Sequence, residues 1–124
     1  METTDYMNKA EICRLLRQLG ITSNYTGYRH ASHAVFLSIQ EPERLLLVTK
    51  WIYPDVAKHF NTNWRCVERN IRTVSQIAWK SNRSALELMA GHSLPTRPSS
   101  GTFLSILADK VQESISNVTS PIES

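Results

Sequence analysis

The chain has 124 residues, of which 41% are hydrophobic and 20% charged, with a formal net charge of +3. This length suits one domain whose core is large enough to fold without disulfides or a structural metal. The two cysteines, Cys13 and Cys66, form no CxxC pair or secretory framework. The N-terminus lacks the apolar run of a signal peptide, and no stretch of about 18 apolar residues predicts a membrane span, so we expect reduced thiols and a cytoplasmic location.

Apolar residues recur at helical spacing along most of the chain, and no β-alternation longer than a few residues interrupts them. After a flexible start over residues 1–7, a first helix is predicted from Asn8 to Leu19 with Gly20 as its stop. A second helix is predicted from Thr26 to Gln40. Prolines in the first turn are well tolerated and predict a third helix, Glu41 to Trp51, and a fourth, Pro54 to Phe60.

A longer, capped helix is predicted next. Asn61 can adopt the left-handed conformation that a tight turn needs, and Thr62 or Asn63 can cap a fifth helix that runs to about Lys80. Two further helices are predicted, from Ser84 to Ala90 and from Thr102 to Ile115. Residues 116–124 are predicted to be a disordered tail. The sequence therefore predicts an all-α bundle of six to seven helices, with one domain over residues 8–115.

The fifth predicted helix has an apolar back and a basic front. Its apolar residues recur at i, i+4, i+7 and i+11, at Val67, Ile71, Val74 and Ala78. At about 100° per residue, the opposite side carries Arg65, Arg69, Arg72 and Gln76. The stretch from Lys58 to Arg83 holds six Lys/Arg against one acid, a local charge of +5. Such a helix suits the DNA major groove, and a solvated helix face is the alternative interpretation.

The fourth helix, the polar turn and the fifth helix match the helix–turn–helix pattern, in which the second helix enters the major groove. The candidates for reading base edges are Arg65, Glu68, Arg69 and Arg72, because guanidinium pairs with guanine and carboxylate accepts from cytosine. The candidates for contacting phosphate are Lys58, His59, Thr62 and Asn63. Trp51 and Trp79 are expected to cap the core, and Trp64 to pack against the fourth helix.

Residues for catalysis or metal binding form no recognisable pattern. His30 and His33 share a helical face, but no third or fourth ligand lies at a metal-site spacing, so partly exposed histidines are expected there. The sequence contains no glycine-rich phosphate loop and no nucleophile elbow, and it offers neither cysteine a base. We therefore expect no enzyme activity, no cofactor and no metal.

Several stretches resemble the C-terminal effector domain of the master response regulator of endospore formation. They are YPDVAKHFNT at 53–62, VERNIR at 67–72, AW at 78–79, LGI at 19–21, GY at 27–28, PT at 95–96, and the stretch from Phe103 to Val111. The resemblance implies a six-helical sporulation regulator in the bacterial cytoplasm, associated with the nucleoid. It also implies binding of double-stranded DNA at TGTCGAA-like boxes, often in tandem, with a second copy of the domain alongside.

The resemblance assigns roles residue by residue. Base reading falls on Glu68 and Arg69, and phosphate contacts fall on Lys58 and on Asn61 to Asn63. Thr73 stands where the family has a histidine near the groove rim. Cys66 stands where the family typically has an arginine, and Arg65 precedes it, so we expect an altered base preference on one side of the box.

A second interpretation remains open. In the family a phosphorylatable receiver precedes this domain, and we expect these 124 residues to hold the effector alone. Cys66, Trp64 and the missing receiver are compatible with a protein-interaction module that keeps the fold and binds a full-length regulator or RNA polymerase. Single-stranded RNA recognition is less favoured, because the sequence offers no exposed aromatic platform.

Overall fold

The computed structural model describes residues 2–119, with side chains for residues 4–116, and this part of the chain is helical without any strand. The predicted all-α fold class is confirmed. The α-helices are α1 (Glu2–Gln18), α2 (Thr26–Gln40), α3 (Tyr53–His59), α4 (Trp64–Ala90) and α5 (Ser100–Thr119). A 3-10 helix (Pro42–Leu47) and a π-helical turn (Val48–Ile52) connect α2 to α3. Within residues 2–119 no helix combines the length and hydropathy needed to cross a bilayer.

Helix α2 lies at the centre of the bundle and packs against α1, α4 and α5. Fully buried leucine, valine, isoleucine and phenylalanine side chains from all four helices meet there, at Leu15, Leu16, Val35, Ile71, Phe103 and Leu107. Gly20 ends α1 as predicted, with φ at +87°. The Ile21 N–H then donates to the Leu16 carbonyl, five residues earlier, at 2.9 Å. This is the 6→1 bond of a Schellman cap, and it directs the buried Ile21 towards the core.

Both terminal helices extend beyond their predicted limits. Helix α1 begins at Glu2 rather than Asn8, because residues 2–7 contain no glycine or proline to interrupt it and Asn8 itself is buried. Helix α5 begins at Ser100 and continues to Thr119, so the first residues of the expected disordered tail are helical. Residues 120–124 of that tail lie outside the described part of the chain.

The helix count also differs from the prediction within the described residues. The third predicted helix is the 3-10 and π-helical segment, because Leu47 leaves the helical region at φ −137° and ψ 68°. Pro54, with no N–H to donate, lies in the first turn of α3, which begins at Tyr53. The fifth and sixth predicted helices form the two parts of α4, and the predicted break between Lys80 and Ser84 is present as a kink at Asn82, whose backbone is not helical (φ −146°, ψ 54°). Gly91 ends α4 in the left-handed conformation at φ +83°.

Candidate nucleic-acid interface

Helix α3 ends in a turn that leads directly into α4. The Thr62 N–H donates to the Ala57 carbonyl at 2.8 Å, and the Asn61 N–H donates to the Lys58 carbonyl at 3.3 Å. These are the two bonds of a Schellman cap, which needs a left-handed residue after the helix. Asn61 supplies it with φ at +56°, so its predicted conformation is confirmed. The turn therefore fixes where α4 starts relative to α3.

Asn63 caps the N-terminus of α4. Its backbone is extended (φ −111°, ψ 161°), and its Oδ1 accepts from the Cys66 N–H at 2.9 Å. The sequence left Thr62 and Asn63 as equal candidates for this cap, and the structure selects Asn63. Because the side-chain oxygen accepts a hydrogen bond from the helix, the Nδ2 donor is the part of the Asn63 side chain that remains for a ligand.

The back of α4 is buried as the sequence predicts. Val67, Ile71 and Ala78 are fully buried, and Val74 is 1% exposed. Gly27 on α2 allows α4 to approach closely, since a Cβ at this position would lie 2.4 Å from Val74 Cγ2 and 2.5 Å from the Asn70 carbonyl oxygen. In the sequence, Gly27 was noted only as part of the family resemblance. Its contact with α4 could not be predicted, because it depends on how α2 packs against α4.

The front of α4 is basic and open to solvent. Arg65, Arg69, Arg72 and Thr73 are exposed and Glu68 is half-buried. The Arg72 Nη1 lies 3.9 Å from Glu68 Oε2, which is a weak pair one helical turn apart. The Arg65 guanidinium lies 5.4 Å from the ring centroid of Trp64. Arg69 forms no ion pair among residues 4–116, so its five donors stay unused by the fold.

The phosphate candidates of the turn share one exposed edge. Lys58 and His59 lie in the last turn of α3, and they are exposed together with Asn61, Thr62 and Asn63. Both helix ends therefore bring donors to the same place, since α3 contributes a lysine and α4 contributes its free N–H groups. Thr73 is separated from this edge because it lies farther along α4.

Two histidine rings stack behind this edge. The rings of His33 on α2 and His59 on α3 have centroids 4.0 Å apart and an interplanar angle of 18°. Phe60 meets both rings edge-on, at 5.8 Å from His33 and 4.7 Å from His59. Burial, together with the neighbouring His59 and Lys9, lowers the pKa of His33 from 6.5 to about 4. His33 is therefore neutral at pH 7, and α3 docks on α2 through contacts between aromatic rings.

A buried polar contact also links α4 to α2. The Nδ2 of Asn70 lies 3.2 Å from His30 Nδ1 and 3.6 Å from Cys66 Sγ. His33 is partly exposed as expected, but His30 is only 5% exposed, and this burial lowers its pKa. Because an amide N–H₂ can only donate, His30 accepts through Nδ1 as a neutral ring. Nothing in the sequence joins residue 30 to residue 70, so sequence reasoning missed this contact.

One of the three tryptophans differs from expectation, because Trp51 was predicted to cap the core but is 46% exposed. Trp64 is 39% exposed, and its packing against the preceding helix stays a prediction. Trp79 is half-buried against the core as predicted. Among the described residues, no group of three or more His, Cys, Asp or Glu side chains is placed to hold a metal ion.

An all-helical domain with a capped, guanidinium-bearing helix on its surface has the features expected of the DNA-binding domain of a transcription regulator. The family described as "Sporulation initiation factor Spo0A C terminal" matches residues 12–111, and the chain belongs to that family. This family consists of helical DNA-binding regulatory domains of a sporulation regulator and not of enzymes. The resemblance found in the sequence is therefore confirmed. The family supports double-stranded DNA as the partner of this domain.

Proposed function

We propose that the chain is a sequence-specific transcription regulator in which α3, the turn and α4 form a helix–turn–helix, with α4 in the major groove of a TGTCGAA-like box. One observation carries this proposal: Arg65, Arg69 and Arg72 are exposed on the side of α4 opposite its buried stripe. A groove of this kind admits one helix. The stripe leaves only this face of α4 free to enter it.

Base reading centres on Arg69 and Glu68. Among residues 4–116, Arg69 has no ion-pair partner, so it can pair with guanine O6 and N7 without losing one there. Glu68 accepts from cytosine N4, while Arg72 beside it limits the repulsion between this carboxylate and nearby phosphates. Arg65, held over Trp64, reads the end of the box nearest the helix N-terminus. There the base preference differs from that of relatives with an arginine at the position of Cys66.

Phosphate contacts come from both ends of the turn. Lys58 and His59 supply side-chain donors, and the free N–H groups at the start of α4 bind a phosphate between them. Asn61, Thr62 and the Nδ2 of Asn63 add donors along the same edge. Thr73 donates to phosphate at the opposite rim. Tandem boxes place a second copy beside the first, in the bacterial cytoplasm on nucleoid DNA.

The test is fluorescence anisotropy on a labelled TGTCGAA duplex and on a scrambled duplex, across a salt series. We expect the box to bind at least about a thousandfold more tightly. Arg69→Ala should abolish that preference, whereas Lys58→Ala should weaken both duplexes alike and reduce the salt slope by about one. Arg97→Ala, in the loop between α4 and α5, is the control that removes an equal charge away from the turn.

Equal losses of Arg69→Ala on the two duplexes would contradict the base-reading role. If the wild-type chain bound both duplexes alike, selection from random duplexes would follow. Recovery of another box would keep the function and change only its sequence, and recovery of none would refute the proposal.

A further inference from the structure

A surface groove lies between α1 and α2, next to the end of α3. Three aromatic rings line it, at Tyr28, Phe36 and Phe60, and so do two cations, Lys9 on α1 and Arg29 on α2. Both cations are exposed to solvent. Among the described residues that line this groove, none carries a carboxylate. We call this surface the α1–α2 groove.

The fold does not neutralise the two cations of the groove. Among residues 4–116, the ion pairs include neither Lys9 nor Arg29. Asp5, one turn before Lys9 on α1, is half-buried and does not line the groove, so it offsets only part of one charge. Asp55 on α3 acts on a histidine of the groove, but it is ion-paired with Arg44. The groove therefore keeps a net positive charge.

The groove continues the edge of the turn that carries the phosphate candidates. His33 lines the groove, and its ring stacks on that of His59 with centroids 4.0 Å apart. The His33 ring also lies 6.4 Å from the ring of Phe36, and the Lys9 Nζ lies 4.8 Å from that second ring. These contacts place the Lys9 Nζ within about 15 Å of the His59 ring. At about 3.4 Å per base pair, this distance corresponds to roughly four base pairs of DNA.

The positive charge of the groove comes from Lys9 and Arg29. Burial, and then the positive charges of His59 and Lys9, lower the pKa of His33 to about 4, so His33 adds no charge at pH 7. The Lys9 ammonium lies over the face of Phe36, where the ring attracts it. A polyanion could therefore pair with both cations without displacing an acid of the fold.

We propose that the α1–α2 groove is a second phosphate-binding site, in which Lys9 and Arg29 bind the DNA backbone beside the box. This inference rests on the proposed function and extends it, because the turn binds the phosphates of the box itself. Backbone contacts of this kind set the register and orientation of a protein on the duplex without reading its sequence. An acidic protein segment would suit the same charge, but the continuity with the turn favours DNA.

The test is fluorescence anisotropy on a labelled duplex that extends about eight base pairs on either side of the box, and on a scrambled duplex of equal length. Binding is measured across a salt series, because each phosphate contact adds about 0.9 to the slope of log K against log salt. We expect Lys9→Ala and Arg29→Ala each to lower this slope by about 0.9. Each should weaken binding to both duplexes about fivefold to tenfold at 0.1 M salt, and the preference for the box should stay unchanged.

Three control variants separate charge from packing and from location. Lys9→Arg and Arg29→Lys keep the charge, so they should keep the slope of the wild type. Lys110→Ala removes a charge of the same sign on α5, close to Gly91 at the far end of α4, and it should leave the slope unchanged. Urea denaturation of every variant shows that it is folded.

Unchanged slopes for Lys9→Ala and Arg29→Ala, beside a lower slope for Lys58→Ala, would overturn this inference and leave the proposed function in place. A wild-type chain that bound both duplexes alike would count against the box and not against the groove, because the slopes can still be compared on the scrambled duplex. A peptide of glutamate and phenylalanine is the last probe. If it bound the wild type but not Lys9→Ala, with the DNA slopes unchanged, the occupant of the groove would be an acidic protein segment.

Discussion

The close approach of α2 and α4 at Gly27 leads to a quantitative prediction for Gly27→Ala. The new Cβ would lie 2.5 Å from the Asn70 carbonyl oxygen and 2.4 Å from Val74 Cγ2, whereas ordinary contact begins at 3.4 Å. The valine methyl can rotate away, but the carbonyl belongs to the backbone of α4. Helix α4 must therefore move by about 0.9 Å, which is the difference between the 3.4 Å limit of ordinary contact and the 2.5 Å from the new Cβ to the carbonyl oxygen.

The free energy of unfolding follows from two opposing effects. Overpacking costs about 1–3 kcal/mol, and the upper end applies because a backbone atom must move. Replacing glycine by alanine in a helix returns at most about 1 kcal/mol. We expect a net loss of about 2 kcal/mol, which corresponds to a fall in Tm of roughly 5–10 °C. Urea denaturation and thermal unfolding followed by circular dichroism measure both quantities.

Gly101→Ala is the matched control. Its Cβ would meet only Val48 Cγ2, at 3.3 Å, so we expect a change within about 0.5 kcal/mol. Gly27→Ala should also weaken binding to the box more than binding to a scrambled duplex, because it shifts the helix that carries Arg69. Equal stability of the two alanine variants would refute the reasoning about the close approach of α2 and α4.

Two further predictions concern the ends of the candidate interface. Asn63→Ala removes the side-chain acceptor of the Cys66 N–H, and we expect it to cost about 1 kcal/mol in urea denaturation; Asn63→Asp, which keeps an acceptor oxygen, should keep most of that stability. The pKa of His33 is lowered in the folded chain to about 4 from 6.5, so between these values the unfolded chain binds more protons. The contribution of neutral His33 to the free energy of unfolding is therefore complete above about pH 6.5 and is lost as the pH falls towards 4. His33→Phe should lessen the fall in the urea midpoint from pH 7 to pH 5, and an unchanged fall would contradict this role of His33.

Periodicity and end signals predicted most of the fold that surrounds the site. The stripe from Val67 to Ala78 is buried, and the predicted stop at Gly20 lies where a left-handed residue ends α1. These features are local, because a stripe or a cap depends on residues within a few turns. The sequence could therefore predict the apolar back of α4, and with it the face that stays exposed.

Contacts between distant residues were not predictable in the same way. His30 is buried because Asn70, forty residues later, lies beside it, and Gly27 matters only because α4 crosses it. The segment from Pro42 to Ile52 has apolar residues on every side, so periodicity could not decide whether Trp51 faces inward or outward. Trp51 was expected to cap the core, but the backbone leaves the helical region at Leu47 and Trp51 is 46% exposed.

The geometry of the DNA-binding face depends on the core behind it. Arg65, Arg69 and Arg72 follow the spacing i, i+4, i+7, as do Val67, Ile71 and Val74 on the opposite side. The buried row fixes the rotation of α4 about its axis, and the contact at Gly27 fixes its distance from α2. The Schellman cap at Asn61 sets where α4 begins. A substitution behind the helix can therefore change which bases the guanidiniums reach, even though it removes no group that would touch DNA.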